Sequence, residues 1–142
     1  MFGFEFYLLM GVIAFVAVWS AAVTGWKWLK QYRLKRSRKG QNRQSFVRYF
    51  IVEGIPETIA VEVYRYLQKL QLVKSFPVSP EDDMQQIYGL QDEDLTEAIV
   101  AIAHICRVPI PPENSPLWAQ AQVFSVEDLI RFIDFLRLSN PV

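Results

Sequence analysis

Residues Phe6 to Trp26 read FYLLMGVIAFVAVWSAAVTGW, and no charge interrupts them. The 21 residues, at the α-helical rise, reach about 31 Å. That equals the roughly 30 Å of hydrocarbon in a bilayer. A lone segment in lipid must satisfy its own backbone polar groups, which only a helix does. The run therefore predicts one transmembrane helix. Tyr7, with Phe2, Phe4 and Phe6, stands at one end; Trp26 and Trp28 stand at the other. Aromatic rings of this kind settle at headgroup depth. Ser20-Ala21-Ala22 has the small residues of a signal cleavage site. The apolar run continues past it into a cationic block, which favours a retained anchor. Ala17, Ala21 and Gly25 form a small-residue face that admits a second helix or simply faces lipid.

Charge then sets direction. Residues 1–48 hold nine Lys/Arg and one acid, Glu5, whereas residues 49–142 hold six Lys/Arg and fourteen Asp/Glu. Positive residues flanking a span stay on the cytoplasmic side. Lys27, Lys30, Arg33, Lys35, Arg36, Arg38 and Lys39 are the candidate contacts to anionic headgroups, each contributing about 1 kcal/mol when close to the surface. The expected topology is N-terminus outside and C-terminal domain in the cytoplasm, in a bacterial plasma membrane. The acidic remainder argues against nucleic acid, whose phosphates need a basic surface.

The organisation expected is an anchor over 1–30, a basic juxtamembrane stalk with a short helix over 31–55, and an acidic domain over 56–142. Phe46, Val47, Phe50 and Ile51 give the short helix a spaced apolar face, to pack on the domain or lie on the membrane. Ile59, Val63, Tyr66 or Leu67, and Leu70 line one side of a helix from Pro56 to about Val73. Ser79-Pro80-Glu81-Asp82 has the form of a helix start: a capping Ser, Pro at the first position and an acid three residues on. A helix over Gln91 to Cys106 follows, with Leu95, Ile99, Ile102 and Cys106 inward, beside Ala98 and Ile105. Val108-Pro109-Ile110-Pro111-Pro112 ends it. A long connection then includes Trp118 and is too apolar to be fully solvated. Ser125-Val126-Glu127-Asp128 caps a last helix with Leu129, Phe132, Ile133 and Leu136 inward. No strand and no repeat is read.

The order of these segments, from about Thr58 to Leu136, resembles an acyl carrier protein. Met84-Gln85-Gln86-Ile87-Tyr88-Gly89 is similar to that family's approach to its second helix. Val108-Pro109-Ile110-Pro111 is similar to the exit, and Ser125-Val126-Glu127-Asp128 to the opening of the last helix. The fold implied is all-α: a single transmembrane helix plus a small acyl-carrier-like bundle of three to four helices. In that family a Ser in Asp-Ser-Leu bears phosphopantetheine. Here the position is Asp92 when counted from Gly89, or Asp94 when counted back from Leu95. Neither has a hydroxyl, so the resemblance implies the fold and not covalent carriage of an acyl group. It also implies recognition through the acidic helix start, at Asp92, Glu93, Asp94 and Glu97, by an unidentified protein partner. A small structural subunit of a membrane complex is the alternative.

No enzyme chemistry is expected. Cys106 and His104 are single, and two residues apart on a helix they diverge by about 200°. One Cys allows no internal disulfide, and one Cys with one His excludes the usual structural zinc sets. Asp82, Asp83 and Asp92 to Asp94 lack the alternating spacing of a calcium hand. No cofactor is expected.

Overall fold

A computed structural model describes residues 3–139. Phe2 of the expected outer belt, and Asn140 to Val142 of the tail, lie outside the described residues. The fold is all-helical, and among the described residues there is no strand. The helices are α1 (Phe4–Ser37), α2 (Arg43–Val52), α3 (Glu57–Lys69), α4 (Asp92–Ile105) and α5 (Val126–Ser139), with a 3-10 turn at Pro116–Gln120. The chain falls into two compact units, residues 1–39 and 40–142.

The first unit is essentially α1. Its 34 residues extend about 51 Å. An 18-residue window has mean hydropathy 2.2 and none of it is buried by protein. The helix is therefore long and apolar enough to cross a membrane. Trp28 and Tyr32, one turn apart, stack at 5.3 Å. Lys35 and Arg36 occupy the last turn, where the helix dipole favours cations.

In the second unit, α2 opens on a reciprocal cap. The Ser45 N–H donates to the Asn42 side chain at 2.9 Å, and the Asn42 N–H donates to Ser45 Oγ at 3.1 Å. Phe46, Val47 and Phe50 are buried. Ile51, expected inward, is 47% exposed, because the helix ends within a turn of it. Phe46 meets Phe50 and Tyr64 edge-on at 5.1 and 5.0 Å, locking α2 onto α3. Gly54, at φ +84°, reverses the chain between them, a conformation that costs glycine nothing.

Along α3 the buried face is Ile59, Ala60, Val63, Tyr64 and Leu67. The helix stops at Lys69, four residues short of the sequence expectation, and Leu70 is exposed. α3 packs against α2, α4 and α5, and α4 packs against α5.

The helix expected from Ser79-Pro80-Glu81-Asp82 does not form. The segment is a chain of turns pinned to the start of α5. The Met84 N–H donates to the Phe124 carbonyl at 2.8 Å, and the Val126 N–H to the Asp82 carbonyl at 3.0 Å, around an antiparallel bridge of Asp83 with Ser125. Those backbone groups are thereby withdrawn from helical use. Asp82 is buried, accepting from the Tyr88 hydroxyl at 2.7 Å and the Ser79 N–H at 3.0 Å. Val73, Phe76, Val78, Met84 and Tyr88 are buried as well, so the connection forms one wall of the core.

α4 ends on Arg107 at φ +57°, with the Val108 N–H reaching the Ala103 carbonyl at 2.8 Å and the Arg107 N–H the His104 carbonyl at 3.2 Å. This is the Schellman pattern, with an arginine where glycine is usual. At α5 the sequence reading holds. The Ser125 N–H donates to the Asp128 carboxylate at 3.0 Å, and the Asp128 N–H to Ser125 Oγ at 3.1 Å. Leu129, Phe132, Ile133 and Leu136 are all buried.

Candidate functional site

The start of α4 gathers Asp92, Glu93 and Asp94 in its first turn, with Glu97 one turn on. All four are exposed. Acids in a first helical turn are stabilised by the dipole, and that accounts for three of them locally. Asp92 is held at φ +48°, a left-handed conformation that Asp tolerates better than most residues. Its carbonyl accepts from Thr96 Oγ1 at 3.1 Å. Among the described residues, none of the four carboxylates is paired with a Lys or Arg.

Beside this start runs a groove of about 880 Å³. Leu95, Ile99 and Val100 of α4 line it, with Leu90, Ile110 and Phe124 from the flanking connections. Leu95 is half-buried and not, as expected, a core residue. Ile105, also expected inward, is exposed, and Ala103 takes the buried position. Phe124 is 70% exposed, a large apolar ring at the edge of the groove. Asp83, Asp92 and Glu113 contribute carboxylates to the same lining. Asp83 is already committed: its Oδ1 accepts from the Gln85 and Gln86 N–H groups at 2.9 and 2.8 Å. Trp118 closes the far side, its indole N–H donating to the Pro112 carbonyl at 3.0 Å while its ring meets Phe132 at 6.0 Å.

Sequence reasoning had found the acids but not the groove. The only signal for it was the unexplained apolarity of the connection over 113–123. Of the four acids, Asp92 alone lines the groove; Glu93, Asp94 and Glu97 follow on the exposed surface of the same helix.

The remaining reactive groups do not converge. His104 is exposed and Cys106 half-buried. The Cys106 thiol faces the Thr58 carbonyl at 3.9 Å. Burial, and then the negative charge of Glu62, push its pKa up to about 11. A thiol so shifted is a poor nucleophile near neutral pH. Among the described residues, no three His, Cys, Asp or Glu side chains converge as a metal site.

The seven candidate lipid contacts lie elsewhere, in the first unit. Lys27, Lys30, Arg33, Lys35 and Arg36 belong to the C-terminal half of α1, and Arg38 and Lys39 follow its end. No family model, no curated protein and no solved structure matches this chain.

Proposed function

We propose that the chain is a membrane-anchored, non-enzymatic interaction module of acyl-carrier-like design. α1 spans the bilayer with its N-terminus outside. The basic residues from Lys27 to Lys39 hold the cytoplasmic headgroup layer. The globular unit docks a partner through the groove beside α4 and the acids at its start.

One observation carries the docking reading: an open apolar groove is continuous with Asp92 and runs beside an unpaired acidic helix start. The occupant that fits is a basic amphipathic segment of a protein. Its apolar face would cover Leu95, Ile110 and Phe124, and its Lys or Arg side chains would meet Asp92, Glu93, Asp94 and Glu97. Apolar contacts in a groove supply affinity, and charges around it supply rate and selectivity. The carrier-like order of helix, long connection, helix, connection and helix supports the same reading, with Asp92 or Asp94 in place of the modified serine of true carriers.

The test is recovery of partners in mild detergent at low and high salt. The wild-type chain should retain its partner at low ionic strength and release it at high salt, because exposed charges are screened. Changing Asp92→Asn, Glu93→Gln and Asp94→Asn together should lower recovery by about tenfold or more, with far-UV circular dichroism unchanged. Undiminished recovery by this variant rejects docking through the acids.

A further inference from the structure

Charge alone does not decide which basic side chain the groove beside α4 takes, because a carboxylate attracts Lys and Arg alike. The lining also holds aromatic rings, and rings distinguish the two. Phe124 is the most exposed aromatic residue of the second unit, at 70%. Among the described residues its ring meets no other ring. Tyr49, the other exposed ring of that unit, is in use: it packs edge-on against Phe50 at 5.0 Å, and its hydroxyl donates to Glu127 at 3.4 Å.

The Phe124 backbone is fixed on both sides. Its N–H donates to the Asp128 carboxylate at 3.1 Å, and its carbonyl accepts from the Met84 N–H at 2.8 Å. The ring is presented from a held support, so little freedom is lost when a partner covers it. Trp118 adds a second ring to the lining. Its indole N–H is spent on the Pro112 carbonyl, which leaves only ring surface for a ligand. Asp92 and Glu113 line the same groove, and among the described residues neither is paired with a Lys or Arg.

The two cations fare differently in such a place. A guanidinium is flat and weakly hydrated; it lies on an aromatic face and still donates from its edge to a carboxylate. An ammonium is a compact, strongly hydrated charge, and apolar walls strip its water without replacing it.

We propose that the groove selects arginine over lysine in the segment it receives, with the Phe124 ring as the surface on which the guanidinium stacks. The proposal rests on the docking reading and adds to it the side chain that is recognised. The acids supply an attraction that both cations share, and Phe124 supplies the difference.

The experiment uses the full chain in nanodiscs of phosphatidylcholine, whose headgroups carry no net charge, with empty discs as the blank. The probes are two fluorescein-labelled amphipathic peptides of about 18 residues, roughly 27 Å long as helices. They share one leucine face; the basic positions are all Arg in one and all Lys in the other. Anisotropy titration should give the Arg peptide a Kd about fivefold lower. Phe124→Leu keeps an apolar side chain and removes the ring. Both peptides should still bind that variant, with Kd values within about twofold of each other. Phe124→Tyr, which retains a ring, should keep the preference. Thermal unfolding should be the same for all three chains, because the ring is exposed and its backbone bonds do not depend on it. Equal affinity of the two peptides for the wild-type chain, or a preference that survives Phe124→Leu, overturns the proposal and leaves docking intact. Binding of neither peptide above the blank removes the docking reading, and this proposal with it.

Discussion

Val12→Arg combined with Val16→Arg is expected to move the protein out of carbonate-washed membranes and into the soluble fraction. Both positions lie near the middle of the apolar run. Nine residues of that run are Phe, Leu, Ile or Val, together favouring insertion by about 3–5 kcal/mol on an insertion scale. An Arg at the centre of a span costs about 2.5–3.5 kcal/mol. Two such costs exceed the whole apolar gain, so insertion changes sign. Residues 40–142 expressed alone should also be soluble, and folded, because that unit has its own core and its own contacts. Retention of the double variant in the washed pellet would show that α1 is not what holds the chain to the membrane.

The second large effect is expected at Asp82. Its carboxylate accepts the Tyr88 hydroxyl and the Ser79 N–H inside the protein. Asp82→Ala removes the acceptor that these two donors share. A hydrogen bond to a charged group contributes about 1.5–3 kcal/mol, and a stranded buried group costs about 1–3 kcal/mol. A total loss of about 2–4 kcal/mol follows once the released desolvation cost of Asp82 is set against it. For a unit of this size that lowers Tm by roughly 10–25 °C. Tyr88→Phe should be milder, and the two changes should be non-additive in a double-mutant cycle, since both remove the bond between Tyr88 and Asp82. Thermal unfolding of residues 40–142 provides the measurement. Additive effects, or a stability unchanged in Asp82→Ala, would contradict the geometry. The consequence for the site is direct, because residues 83–85 and 90 line the groove beside α4.

Two almost identical tetrapeptides show why some of the fold was legible and some was not. Ser79-Pro80-Glu81-Asp82 and Ser125-Val126-Glu127-Asp128 make the same first bond, Ser N–H to Asp carboxylate, at 3.0 Å in each. Only the second begets a helix. After Asp128 comes an apolar stripe that runs from Leu129 to Leu136 and buries against the other helices. After Asp82 only six residues precede Gly89, which sits at φ +67° and ends any helix. So short a helix does not recover its nucleation cost. The backbone bonds to the Phe124 carbonyl and from Val126 win instead, and they join residues some forty apart in the chain. A local signal cannot report that pairing. The same limit hid the groove, which Leu90, Leu95, Ile110 and Phe124 form only after the chain has folded.

The long apolar helix was legible for the opposite reason. No residue of its 18-residue apolar window is buried, so composition decides its form there. The acids of α4 were legible as a cluster, but which of them meets the groove was not. That depends on Gln91 and Asp92 setting the direction of entry into the helix. Ile51, Leu70 and Ile105 fit an apolar period yet are exposed. Each lies at or beyond the last turn of its helix, where no neighbour remains to cover it.

The central claim is that the groove beside α4 receives a basic amphipathic segment. The most direct measurement is site-specific photo-crosslinking in isolated membranes. A benzophenone amino acid would replace Phe124, at the groove, or Leu138, an exposed residue of α5. The account predicts an adduct from position 124 whose crosslinked peptide is basic and amphipathic. It should weaken at high salt and when Asp92, Glu93 and Asp94 are neutralised, and it should be absent from position 138. No adduct at 124, or one that forms equally at 138 and ignores both salt and the acids, would contradict it.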